Sequence, residues 1–254
     1  MSAINFNDYF SGHAALYASA RPSYPQSLFE FLLGQCQETG LAIDCASGNG
    51  QATASLLGFF DTVLMTDASA EQLGQYEGQD SEGLEPARVV ALAERLPVKN
   101  TSVDLLTVAQ ALHWFDFGKF CIELDRVMKP GAIFAVWSYG IHSIAPEIDS
   151  LIGHLYEDVL GDYWTPERRI VEEGYARYEF PFQSIATPDF KLSKHWSIEQ
   201  VLAYLNSWSA VQRYQRENGN NPLQLIADDL AGIWGKQVQR EIQWPLTLIV
   251  RRKA

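Results

Sequence analysis

Cysteine is scarce in this sequence. The chain of 254 residues contains three cysteines, Cys36, Cys45 and Cys121, which is an odd number without paired spacing. A disulfide framework requires an even set, and a zinc site built on cysteine requires closely spaced pairs. We therefore predict reduced thiols, which are typical of a cytoplasmic protein.

Long apolar runs are also missing. No uninterrupted apolar segment approaches the roughly 18 residues that a membrane-spanning helix needs. The first ten residues do not place an apolar region after a basic one, so they do not resemble a secretory signal. The sequence thus predicts no membrane partner and a cytoplasmic location.

Positive charge is in short supply. Nineteen lysines and arginines stand against 31 aspartates and glutamates, which gives a formal net charge of −12. An acidic surface repels the phosphate backbone, so nucleic acid is disfavoured as a partner. The five histidines show no spacing of metal ligands, and no nucleophile elbow is present. We predict no bound metal and no triad-type hydrolase.

What the chain does contain is apolar residues, 47% of the total, enough for one core within a single domain spanning 1–254. The most informative stretch is 41–50, in which an apolar run leads into Ser-Gly-Asn-Gly. Residues 51–60 then place apolar side chains at helical spacing. The pattern predicts a buried strand, a glycine turn and a helix whose first N–H groups point at a ligand.

Two cofactor classes use a strand, a glycine turn and a helix. A dinucleotide fingerprint requires a third glycine after Gly48 and Gly50, where this chain has Thr53. Asp44, at the end of the first strand, would repel a pyrophosphate and could pair with a cationic amine. Asp67 ends the next apolar run, 17 residues beyond Gly50, close to the spacing at which a carboxylate binds a ribose. These acids favour a cationic ligand without phosphate, such as S-adenosylmethionine; the other interpretation of Asp67 is a helix cap.

Apolar runs alternate with helical patterns along the rest of the chain. This alternation predicts an α/β protein with a parallel sheet and right-handed crossovers. His113 and Trp114 follow the fourth apolar run, at 103–108. Ligands of such sheets bind beyond the carboxyl ends of the strands, so both residues are catalytic candidates. His113 is the candidate base because its ordinary pKa of about 6.5 lies near working pH; its alternative role is structural.

Taken together, several motifs resemble a class I S-adenosylmethionine-dependent methyltransferase. They occupy 44–51, 67–69, 113–116 and 126–131. Tyr17 and the segments 21–25 and 204–211 narrow the resemblance to the type 11 methyltransferases, in the branch that includes the trans-aconitate methyltransferases. It implies a Rossmann-like, seven-stranded, mostly parallel sheet with helices on both faces. The last strand would lie antiparallel between the fifth and sixth, and a helical insertion would separate strands 5 and 6.

The resemblance also implies which residues bind S-adenosylmethionine. Asp44 would lie near its amine, Asp67 and Ala68 at the ribose, and Gln110 beneath the cofactor. The remaining candidates are Ala46, Ser47, Gly48 and Gly50 around the methionine part, Ala93 and Glu94 at the adenine, and Arg21 at the carboxylate. One departure is Ala46, which replaces the first glycine usual in this turn. Alanine suits such a turn only with a negative φ, so the φ of residue 46 is a condition for cofactor binding here.

Substrate choice is expected to depend on residues 141–180. Their first part has apolar residues at helical spacing, and the remainder is rich in tyrosine, tryptophan and arginine. We predict a substrate-side insertion or lid over the strand ends; the alternative is an outer packing helix. The candidate substrate-binding residues are Tyr17, Trp137, Tyr139 and Trp208.

The function predicted is methyl transfer from S-adenosylmethionine to a small organic molecule, such as a carboxylic acid, by in-line displacement. A carboxylate needs no base, whereas a hydroxyl or amine needs one, for which His113 is the candidate. The predicted partner is therefore a small-molecule methyl acceptor. The sequence is compatible with a monomer or a homodimer. One alternative, which Ala46 keeps open, is a catalytically silent cofactor-binding module acting through a protein partner. Another is an NAD enzyme, which the missing third glycine disfavours.

Overall fold

The computed structural model describes residues 22–76 and 84–254. Its centre is a mixed β-sheet. The strands are β1 (Leu41–Cys45), β2 (Thr62–Asp67), β3 (Ala87–Val90), β4 (Val103–Ala109), β5 (Met128–Tyr139), β6 (Gln183–Ile185), β7 (Lys191–Trp196) and β8 (Arg240–Arg252). Within the described residues, seven strands follow the order β3-β2-β1-β4-β5-β8-β6, and β7 pairs only with β8.

Strand direction agrees with the sequence prediction. The pairs β1–β2, β1–β4, β2–β3 and β4–β5 are parallel. β8 runs antiparallel to both β5 and β6 and lies between them. The predicted Rossmann-like, mostly parallel sheet, with an antiparallel last strand inserted beside the fifth, is confirmed.

The helices lie on both faces and over one edge of this sheet. Those that are α-helical are α1 (Gln26–Gln35), α2 (Ala70–Gly74), α3 (Phe117–Val127), α4 (Pro146–His154), α5 (Arg168–Glu172), α6 (Ile198–Asn206), α7 (Ser209–Asn218) and α8 (Ala227–Trp234). Short 3₁₀ turns span Thr53–Ser55, Leu112–Trp114, Gly161–Tyr163 and Pro222–Leu225, and a π-helical turn spans Leu155–Val159.

Each central strand contributes to two cores because its side chains alternate between the faces of the sheet. In β1, Ile43 and Cys45 pack in the core that contains Phe120 of α3. Ala42 packs in the opposite core, which contains Phe29 of α1. This double burial explains why the strands are almost continuously apolar in sequence.

The helix predicted over 51–60 is not formed. Only Thr53–Ser55 is helical, as one 3₁₀ turn, and the residues around it are turns. The physical reason lies in the glycines: Gly50 and Gly58 have φ of +87° and +83°, which an α-helix does not accommodate. The hydroxyl of Thr53 also donates to the Asp44 carboxylate over 2.6 Å, which fixes the turn from within.

A third core lies above the sheet edge and joins two helical segments. The first, between β5 and β6, contains α4, with Ile148 and Ile152 buried, and α5; the predicted helical insertion between strands 5 and 6 is confirmed. The second, α6 to α8, lies between β7 and β8 and packs against the first. α6 begins with a capping box in which the Ser197 and Gln200 side chains bond each other's backbone N–H.

β8 changes partners at Pro245. Its first half, up to Pro245, pairs with β7, and from Leu246 onward it pairs with β5. Proline lacks the N–H that a ladder needs, and here it stands at the last position of the β7 ladder, opposite Lys191. The missing donor is thus accommodated at a change of partner and not at a bulge.

None of the helices within 22–76 and 84–254 combines the length and apolar character required to cross a membrane. Within the same ranges, no three histidine, cysteine, aspartate or glutamate side chains form a group that could hold a metal ion.

Candidate active site

The carboxyl ends of β1, β2 and β4 meet at one edge of the sheet, where a cavity of about 770 Å³ opens. A cavity of this size suits a ligand of cofactor dimensions. Its wall combines residues of the glycine turn, the loops after β2 and β3, and the turn after β4 with Tyr24, which precedes α1. The predicted site residues in this wall are Ala46, Ser47, Gly48, Asp67, Ala68, Ala93, Glu94, Gln110, His113, Trp114 and Tyr139.

The glycine turn is held by its own backbone and by β2. The N–H of Ser47 donates to the Thr66 carbonyl over 2.9 Å, and the N–H of Gly50 donates back to the Ser47 carbonyl over 2.9 Å. Gly50 faces away from the cavity: a Cβ on it would lie 2.4 Å from Cδ2 of Tyr76. The structure therefore gives Gly50 a packing role and brings Gly48, but not Gly50, to the cavity wall.

Asp67 connects β2 to this turn. Its Oδ2 accepts a hydrogen bond from the N–H of Gly48 over 2.9 Å, and its Oδ1 accepts one from the N–H of Ser69 over 2.8 Å. Ser69 in turn caps α2 by accepting from the N–H of Gln72. Asp67 itself remains partly exposed in the cavity wall. Its carboxylate is thereby fixed in orientation and accessible to a ligand.

Backbone strain marks two of the strand ends. Ala46, immediately after β1, has φ of +53°, and Gln110, immediately after β4, has φ of +57°. The condition of a negative φ at Ala46 is therefore not met: the turn imposes the left-handed region even on alanine. Gln110 is held there because its N–H donates to the Trp137 carbonyl over 2.9 Å. Strained non-glycine residues of this kind cluster at functional sites.

Asp44 lies behind the turn and not in the cavity wall. Its side chain is 0% exposed and accepts hydrogen bonds from the hydroxyls of Thr53, over 2.6 Å, and Thr107, over 3.2 Å. Burial raises the pKa of Asp44 to about 6, against the effect of these hydrogen bonds. Asp44 points to the α1 side of the sheet, as alternation along β1 requires. The expected direct contact with a ligand amine is not supported by this position.

Residues after β3 form the far wall of the cavity. Ala93 and Glu94 line it, and Oε1 of Glu94 accepts a hydrogen bond from the N–H of Asp116 over 2.8 Å. That contact joins the loop after β3 to the start of α3. Both residues line the same cavity as Asp67.

His113 and Trp114 lie on the 3₁₀ turn after β4, with ring centroids 4.7 Å apart. Nδ1 of His113 is buried and has no hydrogen-bond partner among the residues that the structure describes. Burial, together with the positive charge of Arg168, lowers the pKa of His113 to about 3. The imidazole is therefore neutral at physiological pH and a weak proton acceptor.

A second cavity, of about 450 Å³, adjoins the first beneath the helical segments. Its wall is rich in tyrosine, tryptophan and arginine side chains and includes two of the substrate-binding candidates, Tyr139 and Trp208. Of the residues that the structure describes, five line both cavities and so form the junction between them. They are Gln110, His113, Trp114, Tyr139 and Glu167.

Trp137 joins Asp44 and Gly50 as the described candidates that line neither cavity. Trp137 is 0% exposed and packs edge-on against Phe29 and Tyr24 at centroid distances of 6.0 and 5.3 Å. It lies two residues before the strand end, where α1 still covers the sheet, so its assignment to substrate binding is wrong. Tyr17 and Arg21 lie outside the described residues.

Similarity to known proteins establishes the family of this chain. The family described as "Methyltransferase domain" matches residues 43–136. A solved structure from Anaeromyxobacter dehalogenans, described as a candidate type II methyltransferase, is 36% identical, covers 91% of this chain and 97% of its own, and superposes with a TM-score of 0.81. The chain belongs to the methyltransferases.

Relatives in eukaryotes support the same family. A candidate methyltransferase of Dictyostelium discoideum is 29% identical over 98% of this methyltransferase and 96% of its own length. A Saccharomyces cerevisiae protein assigned as an S-adenosylmethionine-dependent methyltransferase is 22% identical over 82% of this chain and 83% of its own.

S-Adenosylmethionine is the cofactor of this methyltransferase by its family, and the first cavity fits it. Among the described residues of the wall, acidic side chains outnumber basic ones, and Lys119 is already paired with Asp116 at 2.7 Å. Such a wall attracts a cation and repels the phosphates of a dinucleotide. Oγ of Ser47 is buried without a hydrogen-bond partner within the described part of the chain, so the turn offers an unused polar atom.

Part of the methyltransferase site was not predicted from the sequence. Glu167 and Arg168, at the start of α5, line the second cavity together with Tyr163 and Trp164. The available signal was compositional, since 141–180 is rich in aromatic residues and arginine. No spacing rule singles out which of these residues turn toward the strand ends.

Proposed function

We propose that this methyltransferase transfers the methyl group of S-adenosylmethionine to a carboxylate oxygen of a small organic acid. The observation that carries the proposal is the arrangement of two unequal cavities that share one wall. The larger suits the cofactor and the smaller an acceptor, and the shared wall marks where the two reactants would meet. Its members are Gln110, His113, Trp114, Tyr139 and Glu167.

The first cavity supplies the groups that would hold the cofactor. We assign Ser47 and Gly48 to the methionine part, because the turn presents backbone and an unused hydroxyl there. The Asp67 carboxylate, at the end of β2, would accept hydrogen bonds from the ribose hydroxyls, as an acid in this position commonly does. Ala93 and Glu94 would border the adenine. When bound, the cofactor supplies an electrophilic methyl group on a cationic sulfur.

The charge of the second cavity supports an anionic acceptor. Three arginines and two glutamates line it, in a chain whose formal net charge is −12. A carboxylate arrives ionised at neutral pH and needs no base. The lowered pKa of His113, about 3, makes this residue poorly suited to deprotonate a hydroxyl or an amine. Both observations favour an acid, in keeping with the resemblance to the trans-aconitate branch.

The aromatic walls would exclude water and fix the geometry of transfer. Tyr139, Trp164 and Trp208 line the second cavity, and residues 141–180 together with α6 and α7 cover it. We propose that 141–180 is the substrate-side part of one methyltransferase domain. Holding two reactants in line supplies up to about 7–11 kcal/mol of the barrier through orientation, which requires no acid–base residue.

Calorimetry and methyl-transfer assays test this function together. The protein is expected to bind S-adenosylmethionine and its demethylated product, and to form methyl esters with a panel of mono- and dicarboxylic acids. Absence of cofactor binding at millimolar concentration contradicts the whole proposal. Binding without turnover on acids, amines or phenols favours the silent module that acts through a protein partner. Turnover on amines or phenols alone would support methyltransferase activity but contradict a carboxylic acid as the acceptor.

A further inference from the structure

Arg168 is the first residue of α5, and its guanidinium reaches into the second cavity. Its Nε donates to the hydroxyl of Tyr156 over 2.9 Å and lies 3.7 Å from Oε1 of Glu172. The side chain is 25% exposed, so it is largely enclosed but still accessible from the cavity. One edge of the guanidinium is thus tied down by the insertion itself.

Two aromatic rings lie within cation–π distance of this guanidinium. Its central carbon lies 5.2 Å from the ring centroid of Trp164 and 5.7 Å from that of Tyr156. Trp164 is itself anchored, because its indole N–H donates to the Tyr156 carbonyl over 3.0 Å. Stacking of this kind stabilises an arginine without consuming its N–H donors.

The outer donors of Arg168 remain available. No hydrogen bond from Nη1 or Nη2 reaches another of the residues in the described ranges. These two nitrogens form the fork that matches a carboxylate in geometry. A preorganised guanidinium with an open fork, in a cavity wall, is suited to bind an anion at low entropic cost.

The other arginines nearby do not share these properties. Arg213 is exposed and bonds Glu217 over 2.8 Å. Arg216 is exposed on the same helix. Arg169, the neighbour of Arg168 in sequence, is 78% exposed and bonds Glu173 over 3.1 Å, outside both cavities. Arg168 alone among these four combines enclosure, stacking and an open fork.

We propose that Arg168 determines acceptor specificity by binding the carboxylate of the acid that is methylated. This inference rests on the proposed function and adds the residue that recognises the acid. Arg168 lines the second cavity and directly follows Glu167, which belongs to the junction, so a carboxylate bound at its fork lies close to where the two reactants would meet. Methylation replaces the anion by a neutral ester. The product then loses its attraction to Arg168, which favours its release.

Calorimetric titration of the protein saturated with S-adenosylhomocysteine tests this role without requiring turnover. The probes are cinnamate, phenylacetate and hexanoate, each compared with its own primary amide, which has nearly the same shape but no charge. The wild type is expected to bind at least one acid about tenfold more tightly than its amide, as a lost charge-assisted hydrogen bond predicts. In Arg168→Gln this preference falls to about one, and in Arg168→Lys it is intermediate.

Arg169→Gln is the matched control, since it removes an adjacent arginine that faces solvent. It should retain the full preference for acids over amides. Retained S-adenosylhomocysteine binding shows that each variant is folded. If Arg168→Gln does not fold, Arg168→Lys serves as the test variant in its place. An unchanged preference in the folded Arg168 variant, or no preference for any acid in the wild type, overturns the inference.

Failure of the proposed function is recognised separately. If acids bind with an Arg168-dependent preference but no methyl ester forms, the anion site stands and the methyl-transfer proposal fails. If esters form at equal rates with the wild type and Arg168→Gln, and affinity for the acid is unchanged, the proposed function stands and the assignment of Arg168 fails.

Discussion

The carboxylate of Asp67 and the backbone N–H of Gly48 are joined by a hydrogen bond of 2.9 Å. It connects the end of β2 to the glycine turn after β1, so one side chain both positions the turn and faces the cavity. Asp67→Ala should therefore weaken S-adenosylmethionine binding by about 10- to 100-fold, the effect of losing hydrogen bonds to a charged group. Calorimetry measures it.

Asp61→Ala is the control for that change. Asp61 is an exposed carboxylate at the opposite end of β2, and its removal alters the net charge by the same amount. Its effect on cofactor affinity should be less than twofold. Equal losses in both variants would indicate a general effect of charge and not a role of Asp67.

Gly50 and Gly48 provide a matched pair within one turn. A Cβ on Gly50 would lie 2.4 Å from Tyr76, whereas one on Gly48 meets nothing closer than 3.6 Å. Gly50→Ala should lower the free energy of unfolding by about 2–5 kcal/mol, through overpacking and a positive φ. Gly48→Ala should cost only about 1–2 kcal/mol but weaken cofactor binding. Urea unfolding and calorimetry separate these effects, and equal stability losses would contradict the assigned orientations.

Much of the sheet could be predicted from the sequence because its signals are local. Buried strands form continuous apolar runs, and the Ser197–Gln200 capping box marks the start of α6 unambiguously. The position of the cavity follows from topology, since the carboxyl ends of the parallel strands β1, β2 and β4 meet at one edge. These features depend on few residues and on no distant contact.

What the sequence did not predict depends on long-range packing. Trp137 and Tyr139 are two residues apart and face the same side, yet α1 covers only Trp137. The carboxylate of Asp44 is occupied by Thr53 and Thr107, and Thr107 comes from a different strand. Arg168 reaches the second cavity only because α5 follows an insertion whose path no local pattern determines. Such residues require the fold before their roles can be assigned.

Ala46 carries backbone strain that glycine would relieve. Its φ of +53° costs an L-residue about 1–2 kcal/mol, while glycine adds unfolded-state entropy worth about 0.4–1 kcal/mol. Ala46→Gly should therefore raise the free energy of unfolding by up to about 1 kcal/mol. Ala54→Gly, in the 3₁₀ turn with ordinary φ, should lower it. A melting temperature that falls for both variants would contradict the strain at Ala46.

Asp44 should make stability depend on pH. Burial raises the pKa of Asp44 from 3.8 to about 6, so the folded state holds the proton more tightly than the unfolded state. The contribution of Asp44 to the free energy of unfolding is thus most favourable below pH 4 and is lost as the pH rises to 6 and above. The Asp44→Asn variant cannot ionise at this position, so it does not show this loss. Between pH 4 and 7 its free energy of unfolding should therefore rise by about 3 kcal/mol relative to that of the wild type. Urea unfolding across this range measures it, and a constant difference would contradict the raised pKa.

His113 leads to a prediction about the pH dependence of catalysis. Its pKa of about 3 keeps the imidazole neutral throughout the range in which a carboxylic acid is ionised. The methyl-transfer rate should therefore be flat from about pH 5.5 to 8.5, without a limb near 6.5. His113→Asn should lower kcat by less than about tenfold, whereas loss of a general base would cost about 10²–10⁴-fold. A limb near pH 6.5 that disappears in His113→Asn would restore His113 as a base, and it would favour a hydroxyl or amine acceptor over the acid.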